Sequence, residues 1–505
     1  MSRSKAIILV LFAIAIGLRF VDALRPLNQA SWRESDEGAI SRNFVREGMN
    51  PLIPRIDWRG DGPGYAEMEF PVYPWLIAAS YQLFGVNDML GRFWSLLFSI
   101  GTLIVFYRLA RLYLDRFFAA IAFVFFAFNP LIFEASTSVQ PEGLTIFAYL
   151  TATLFFVKWL GKDRTRDFVV ASIFTAVALL SKATAAHIGL LFGVLLIQRY
   201  GFGAIKNVRV WLFGVVALLP AGMWYVYAKG LWNTYGNSLG VSNEYHWIGP
   251  DFFTNPYFIT GIFRNELIYV WCFAGVIAAL FGVIYGFREK AANFALWWLA
   301  AVFVFFLIAA RTTADDWASY YHIYAVAPFA LLFGFGFRKV VDFAKDSADT
   351  FSSRALVGNL ARLFLIVAVA LTGILTFAIE GRAVRAGLKS RRSADPSFEQ
   401  AKTIKPLLKQ DGLILASGGN CRDDDGYALA YNASYMFYWL DRKGFNNCSE
   451  DQTVENVRQF ASRGAKYYVA QRSITDRKPS FEAELKKAFP LTTETADFMV
   501  FDLSH

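Results

Sequence analysis

Hydrophobic positions in the first three quarters of the chain are grouped into long runs, with charged residues concentrated between them. A run of about 20 apolar residues can cross the hydrocarbon core of a membrane as a helix. The pattern therefore predicts about eleven transmembrane helices, at 6–24, 91–113, 117–134, 142–160, 168–186, 187–200, 208–228, 266–287, 292–310, 320–337 and 361–380. The first run also fits a signal peptide, but no small-x-small cleavage site follows it, so we expect an uncleaved helix.

The charged residues between these runs are sorted by sign. Four loops rich in Lys and Arg alternate with loops that carry the acids, for example Asp57, Asp61 and Glu244. Basic loops stay on the cytoplasmic side of a membrane. We therefore expect the N-terminus inside and residues 25–90 outside as a first outer loop, and an odd number of spans puts the C-terminus outside as well.

The pattern changes after residue 380, where long apolar runs end and charge rises. The stretches "DGLILASG", "AKYYVAQ" and "DFMVFDL" predict short strands, and "FEQAKTIKPLLK" and "TVENVRQFASR" have the apolar spacing of helices. We predict two domains, a membrane module over 1–380 and an extracytoplasmic α/β domain over 381–505.

Composition agrees with this division. Of the 505 residues 55% are hydrophobic and only 18% are charged, against about a quarter charged in soluble domains. The net charge of +9 resides in the predicted inner loops and forms no basic stripe for nucleic acid. No Walker loop, Rossmann glycine pattern, zinc cluster or nucleophile elbow is present. The fold class is thus a polytopic α-helical membrane protein.

Three cysteines are present. Cys272 falls within a predicted span and fits a packing role. Cys421 and Cys448 both fall in the outer domain, where an oxidising compartment permits a disulfide. Their spacing alone leaves two free thiols equally open.

Acidic residues stand at the ends of the predicted spans. Asp36 and Glu37 open a predicted helix over 35–47, shortly after the first span. The helix dipole favours the ionised form of an acid at this position, so we expect Asp36 to be exposed and ionised, able to accept a proton from a hydroxyl. Glu67 and Glu69 lie beside aromatic residues, and Glu142 begins the fourth span. Each of these acids could also be a solvated or interfacial residue without a role in function.

Cationic residues share these span ends: they are Arg92, Lys182, His187, Arg311 and His322. Singly, each fits an interfacial anchor or a core hydrogen bond. Together with the acids, they predict one outer cavity of mixed charge. Such a cavity suits a phosphate-bearing lipid better than a transported ion.

In this order and spacing, several stretches resemble the lipid-dependent glycosyltransferases of the GT-C type, in particular the protein O-mannosyltransferases and the lipid A aminoarabinose transferases. The stretches are "ESDEGAISRNFVREG", "EFPVYPWLIAASYQLFGVNDMLGRFWSLLFSIGTLIVFYRLARLY", "FNPLIFEASTSVQPEGLTIF", "ALLSKATAAHIGLL" and "YYHIYAVAPFALLFG". The resemblance is densest from about residue 30 to 190. It implies the GT-C fold and a sugar donor carried on a polyprenyl phosphate.

The resemblance also implies roles for individual residues. Asp36 is expected as the catalytic base, with Glu37 and Glu142 as further catalytic acids. The donor phosphate is expected among Arg92, Lys182, His322 and Arg311. Sugar or acceptor contacts are expected from Glu67, Glu69, Tyr73, His187, Tyr321 and Tyr324.

Two positions depart from the family pattern. Glu142 stands where the family usually has Asp, and Glu69 stands where the aminoarabinose transferases carry a Lys that contacts phosphate. The second departure argues against the same sugar and acceptor.

The expected function is an inverting transfer of a hexosyl or pentosyl group from a polyprenyl-phosphate donor to an extracytoplasmic hydroxyl on an envelope glycan, a glycolipid or a protein. The expected site is a bacterial inner membrane. No cofactor is required by the sequence, a divalent metal ion is left open, and no nucleic-acid partner is expected. A transporter or flippase and a non-catalytic membrane subunit are the alternatives.

Overall fold

The computed structural model describes residues 3–241, 249–348, 356–422, 431 and 433–504. Helices build the chain as far as Arg392, and a mixed α/β unit follows. The helices of the first part are α1 Arg3–Ala23, α2 Trp32–Glu47, α3 Val72–Phe84, α4 Asp88–Tyr113, α5 Arg116–Phe128, α6 Pro130–Ala135, α7 Glu142–Lys162, α8 Thr165–Ser181, α9 Ile188–Tyr200, α10 Val208–Tyr235, α11 Tyr257–Asn265, α12 Gly275–Gly286, α13 Lys290–Ile308, α14 Ala310–Thr313, α15 Ile323–Ala348 and α16 Leu356–Arg392.

Eight helices in these described ranges are long and apolar enough to cross a membrane. A ninth span results if Tyr257–Val270 and Gly275–Ile284, whose axes are bent by 103°, count as one. The chain is therefore an integral membrane protein, as predicted, but the count of eleven is not confirmed. The apolar run at 117–134 is divided between α5, of 13 residues, and α6, and most of the run at 168–186 lies in α8, of 17 residues.

Close backbone contact holds part of this bundle together. Helices α12 and α15 pack where Gly336 faces the other helix, and a Cβ there would lie 1.8 Å from the carbonyl oxygen of Ala278. Only glycine leaves room for that approach. The outward faces of α1, α10 and α16 expose Ile7, Val215 and Phe364, which suits contact with lipid.

Two shorter helices, α2 and α3, lie in the predicted outer loop. The Ser31 hydroxyl accepts a hydrogen bond from the Glu34 amide and caps α2, so the helix begins at Trp32, three residues before the predicted start. Helix α3 begins at Val72, with Pro71 at its N-cap.

The α/β unit is built on one five-stranded sheet with the strand order β2-β1-β3-β5-β4. Strands β1, β2 and β3 are parallel, whereas β5 is antiparallel to both β3 and β4. The predicted strands are confirmed as β1, β3 and β5, and the predicted helices correspond to α17 and α19. The elements are α17 Pro396–Ile404, β1 Leu413–Ser417, α18 Tyr435–Leu440, β2 Gly444–Asn447, α19 Val454–Ser462, β3 Ala465–Gln471, α20 Arg472–Thr475, α21 Pro479–Ala488, β4 Leu491–Glu494 and β5 Phe498–Asp502. Because α16 continues past residue 380, the domain boundary at 381 stays a prediction.

The sheet unit is packed against the outer segment of the membrane module. One buried apolar cluster includes Ile40 and Phe44 of α2 together with Phe437 and Trp439 of α18. Trp439 donates a hydrogen bond to the Leu27 carbonyl, and Tyr438 donates one to Asp88 at the start of α4. The α/β unit therefore covers the end of the bundle at which α1 ends and α4 begins.

Candidate active site

Five charged side chains form a buried cluster beneath this cover: Arg33, Glu37, Glu69, Glu142 and Lys182. The Arg33 guanidinium lies 2.5 Å from a Glu69 oxygen and 3.5 Å from a Glu37 oxygen. The Lys182 ammonium donates a hydrogen bond to Glu142. Each of these side chains is 11% exposed or less.

Local structure explains how each residue reaches the cluster. Arg33 and Glu37 are one helical turn apart on α2, so they share a face. Glu142 is the first residue of α7, and Lys182 directly follows the last residue of α8. Glu69 is held beside them because the next residue, Phe70, donates its amide hydrogen to the Leu180 carbonyl at 2.9 Å.

The charges of the cluster are only partly satisfied. Among the described residues, the two carboxylate oxygens of Glu37 have no hydrogen-bond partner. One oxygen of Glu142 bonds Lys182, and the other has no partner there. The pKa of Glu37 is raised to about 8, mainly by burial and also by the charges of Glu69, Glu142 and Asp36, while Arg33 opposes the rise. Buried polar atoms without partners are rare in folded proteins and call for an explanation. A bound polar ligand would supply the missing partners.

Aromatic rings line the side of the cluster next to Lys182. The ammonium lies 4.4 Å from the ring centre of Tyr320 and 4.8 Å from that of Tyr321. These rings, Tyr324 and the Glu142–Lys182 pair surround a cavity so narrow that, as the side chains stand, it does not admit a water molecule. The carboxylate and the two aromatic faces attract the ammonium and hold it at the edge of this cavity.

Asp36 points away from the cluster. Successive residues of a helix are about 100° apart, so Asp36 faces the α/β unit while Glu37 faces the membrane spans. Its Oδ1 accepts a hydrogen bond from the Trp58 indole at 3.0 Å, and its buried Oδ2 has no partner among the residues described.

The expectation of an exposed, ionised Asp36 was wrong. The side chain is 1% exposed. Burial raises the pKa of Asp36 to about 7, although Trp58 and Arg33 lower it in part. The loss of hydration on burial disfavours the ionised carboxylate of Asp36 more strongly than the dipole of α2 favours it. A carboxylate with a pKa near 7 is a stronger base than one with an ordinary pKa.

Comparison with known proteins agrees with this architecture. Residues 63–226 match the family described as dolichyl-phosphate-mannose-protein mannosyltransferase. The fold is similar to that of ArnT from Cupriavidus metallidurans, solved in the apo state and bound to undecaprenyl phosphate. The apo comparison has a TM-score of 0.64 and 18% identity over 99% of this chain and 98% of that one. No curated protein sequence matches the chain.

Two further structures share the architecture. The Archaeoglobus fulgidus oligosaccharyltransferase, tethered with an acceptor peptide, has a TM-score of 0.58 and 13% identity over 95% of this chain and 70% of that one. The mycobacterial arabinofuranosyltransferase AftD has a TM-score of 0.56 and 12% identity over 100% of this chain and 42% of that one. The chain has the GT-C fold. The resemblance stated from the sequence is confirmed at this level.

Within the GT-C fold, Arg92 lies outside the cluster. It is 0% exposed and pairs with Glu34 through two hydrogen bonds, of 2.8 and 3.1 Å. It also donates to the carbonyl oxygens of Arg25, Pro26 and Thr137. These contacts occupy the guanidinium and tie the end of α1 to α4.

His322 and Arg311 are also placed away from Lys182. His322 contacts Glu266 through Nδ1 at 2.7 Å and the Thr313 carbonyl through Nε2 at 2.8 Å, so both ring nitrogens are engaged. Arg311 pairs with Asp251 at 2.6 Å. Of the four residues expected at the donor phosphate, the structure brings only Lys182 to the cavity. The role of the other three stays a prediction.

The residues expected at the sugar or acceptor are divided as well. Tyr321, Tyr324 and Glu69 belong to the cluster or its cavity. Tyr73 donates to the Gly91 carbonyl at 2.8 Å and contacts Ser95, and Glu67 accepts a hydrogen bond from Ser238. His187 contacts the Tyr149 hydroxyl at 2.9 Å and the Thr184 carbonyl at 2.6 Å.

Sequence reasoning missed three members of the site. Arg33 carries a readable signal, because its spacing of four from Glu37 on one helix predicts an ion pair. Trp58 and Tyr320 carry no such signal, since each meets its partner across a long stretch of chain. The disulfide that the sequence left open is present between Cys421 and Cys448. In the described ranges, no group of three or more His, Cys, Asp or Glu side chains has the geometry of a metal site.

Proposed function

We propose that the protein transfers a sugar from a polyprenyl-phosphate donor to an acceptor hydroxyl, with inversion at the anomeric carbon. One observation carries the proposal: a buried, partly unsatisfied charge cluster that includes the Lys182 ammonium lies on one side of α2, and a buried carboxylate whose pKa is near 7 lies on the other. The match of residues 63–226 and the shared fold support the same reaction class.

In the proposed mechanism, Lys182 binds the donor phosphate at the cavity lined by Tyr320, Tyr321 and Tyr324. Glu142 positions this ammonium. The acceptor oxygen attacks the anomeric carbon and forms the new C–O bond, while the bond to the phosphate oxygen breaks and the lipid phosphate leaves with the electron pair. Lys182 stabilises the charge that develops on the leaving oxygen.

The proton of the acceptor hydroxyl passes to Asp36, which acts as the general base. Its position on the side of α2 that faces the α/β unit suits this role, because the donor cluster occupies the other side. Glu37, with a raised pKa, lies on the cluster side of α2 and contacts Arg33. A single displacement, in which the acceptor oxygen attacks the face opposite the leaving phosphate, gives inversion.

The sign of the loop charges supports an orientation with the α/β unit outside the cytoplasm. We place the protein in a bacterial inner membrane, where a polyprenyl phosphate brings the sugar to the outer face. Glu69 pairs with Arg33 and adds no cation toward a phosphate, which supports a donor or acceptor different from those of the aminoarabinose transferases.

The test is turnover by the purified chain in nanodiscs with a panel of polyprenyl-phosphate sugars. Mass spectrometry follows release of the lipid phosphate and formation of the glycosylated product. Asp36→Asn and Lys182→Met should lose product with at least one donor that the wild type uses. Lys158→Met, on α7 close to its far end, is the matched lysine control and should retain activity. Movement of intact donor across the bilayer without bond cleavage would contradict the proposal and favour a flippase.

A further inference from the structure

A cleft of about 470 Å³ lies between the outer segment, the C-terminal end of α10 and the α/β unit. Its walls include Trp58, Trp232, Tyr235, Tyr431 and the Cys421–Cys448 disulfide. The volume falls within the range of about 300–1,000 Å³ that small-ligand sites occupy. The cluster around Lys182 does not contribute to its lining.

The lining combines aromatic faces with side-chain amides. Besides the four aromatic residues, Asn237, Asn446 and Asn456 line the cleft. The Tyr431 hydroxyl is a buried group on a side chain that is 3% exposed, and it has no hydrogen-bond partner among the described residues. A sugar ring presents a C–H face that packs on an aromatic ring and hydroxyls at its rim that bond amides and phenols.

Both arginines at the cleft are paired with carboxylates, and the lining also contains the carboxylate of Asp451. Arg59 pairs with Glu47 at 2.6 Å, and Arg463 pairs with Asp61 at 2.7 Å. Two arginines with carboxylate partners offer no excess positive charge to a phosphorylated or acidic ligand. The lining therefore suits a neutral ligand.

The cleft is held in a fixed shape by contacts between its two walls. The Gly60 amide donates to the Gly444 carbonyl at 2.6 Å, and the Gly444 amide donates to the Asp57 carbonyl at 3.0 Å. A Cβ at Gly444 would lie 1.9 Å from the Ile414 carbonyl oxygen, so the strand approaches closely at this point. A site formed before its ligand arrives loses less free energy on binding.

One hydrogen bond connects the cleft to the proposed base. Trp58 lines the cleft with its ring, which lies 5.4 Å from the Tyr431 ring, and its indole N–H bonds Asp36. We infer that the cleft is the acceptor site and that the acceptor is a neutral oligosaccharide. This inference rests on the proposed function and adds the chemical class of acceptor to it.

The experiment measures binding to the full chain in nanodiscs by saturation-transfer NMR, without donor. The probes are cellotetraose, mannotetraose and a linear arabinotetraose, with tetragalacturonate and a threonine-containing octapeptide for comparison. At least one neutral tetrasaccharide should bind. Trp232→Leu should weaken its binding by about tenfold or more, and Tyr431→Phe, which removes only the hydroxyl, by about three- to tenfold. Trp211→Leu, an exposed tryptophan at the other end of α10, is the matched control and should bind as the wild type does.

Release of lipid phosphate from the donor is measured separately on the same variants. Trp232→Leu should raise the apparent KM for the acceptor and leave donor binding unchanged. Failure of all three neutral tetrasaccharides to bind, or binding that neither variant weakens, overturns the inference. Transfer to the peptide alone overturns it while the proposed function stands. Sugar binding without cleavage of any donor overturns the acceptor role and the proposed function together.

Discussion

Lys182 and Glu142 allow the catalytic role of a charge to be separated from its structural role. Their side chains are 8% and 6% exposed, and each is the other's ion-pair partner. Lys182→Met keeps the length of the side chain but removes the ammonium, which leaves the Glu142 carboxylate buried without its cation. Removal of one partner of a buried pair costs about 3–5 kcal/mol of folding free energy.

The double variant Lys182→Met/Glu142→Gln removes both charges and should recover most of this stability, because replacement of a whole buried pair by neutral groups is often nearly neutral. Its activity should stay low. Loss of a group that stabilises charge in the transition state costs about 10²–10³ in kcat. Glu142→Gln alone keeps the ammonium and should retain more turnover than either variant without Lys182.

Two measurements on the same preparations test this reasoning. Denaturant unfolding in a fixed detergent gives the free energy of unfolding, and release of lipid phosphate gives kcat. Lys158→Met controls for loss of a lysine elsewhere on the protein. If the double variant recovers wild-type turnover together with stability, Lys182 serves only to neutralise Glu142 and the donor phosphate binds elsewhere.

Three further predictions concern other parts of the chain. Asp36→Asn should abolish transfer. The wild-type rate should rise with pH around a midpoint near 7, because the pKa of Asp36 is raised from 3.8 to about 7. If an Asp36→Asn variant is still active and keeps this midpoint, the base is Glu37. Since the native state holds the Asp36 proton more tightly than the unfolded state, wild-type stability should fall as pH rises from 3.8 to 7, and the variant should lose this dependence. Cys421→Ser should destabilise the α/β unit by about 3–4 kcal/mol, because the bridge to Cys448 closes a 27-residue separation; two freely alkylated thiols in non-reducing peptide maps of the wild type would contradict the bridge. Gly336→Ala should deplete folded protein from the membrane, since its Cβ meets a backbone carbonyl of α12 at 1.8 Å; normal yield and unfolding would show that the two helices separate at little cost.

The positions of helices and strands were largely predictable from the sequence. Run length and periodicity report local burial, so the membrane runs and the strands β1, β3 and β5 could be recognised. The number of spans that the same approach predicted is not confirmed, because the apolar runs at α5 and α8 form helices of only 13 and 17 residues. Composition records that a segment is apolar, but it does not record whether the helix is long enough to cross the membrane.

The acids of the site could be chosen from the sequence, but their environments could not. Asp36 was recognisable as an acid near a helix start, yet its environment depends on Trp58 and on Ser434 of the α/β unit, which lies about 400 residues further along the chain. Arg92 and Lys182 look alike as cations near span ends. The structure assigns Arg92 to Glu34 and places Lys182 at the edge of a cavity.

Hydropathy along the chain identifies the segments that are apolar enough to enter the membrane, and it shows that an α/β unit follows them. Which charges meet depends on the packed fold, because the Lys182–Glu142 and Arg33–Glu69 pairs span 40 and 36 residues and join different elements. The spacing of apolar residues along a segment reflects which of its side chains face water and which face an apolar environment. Pairing depends on how whole helices are oriented when they pack, and that orientation is set by contacts along the entire chain.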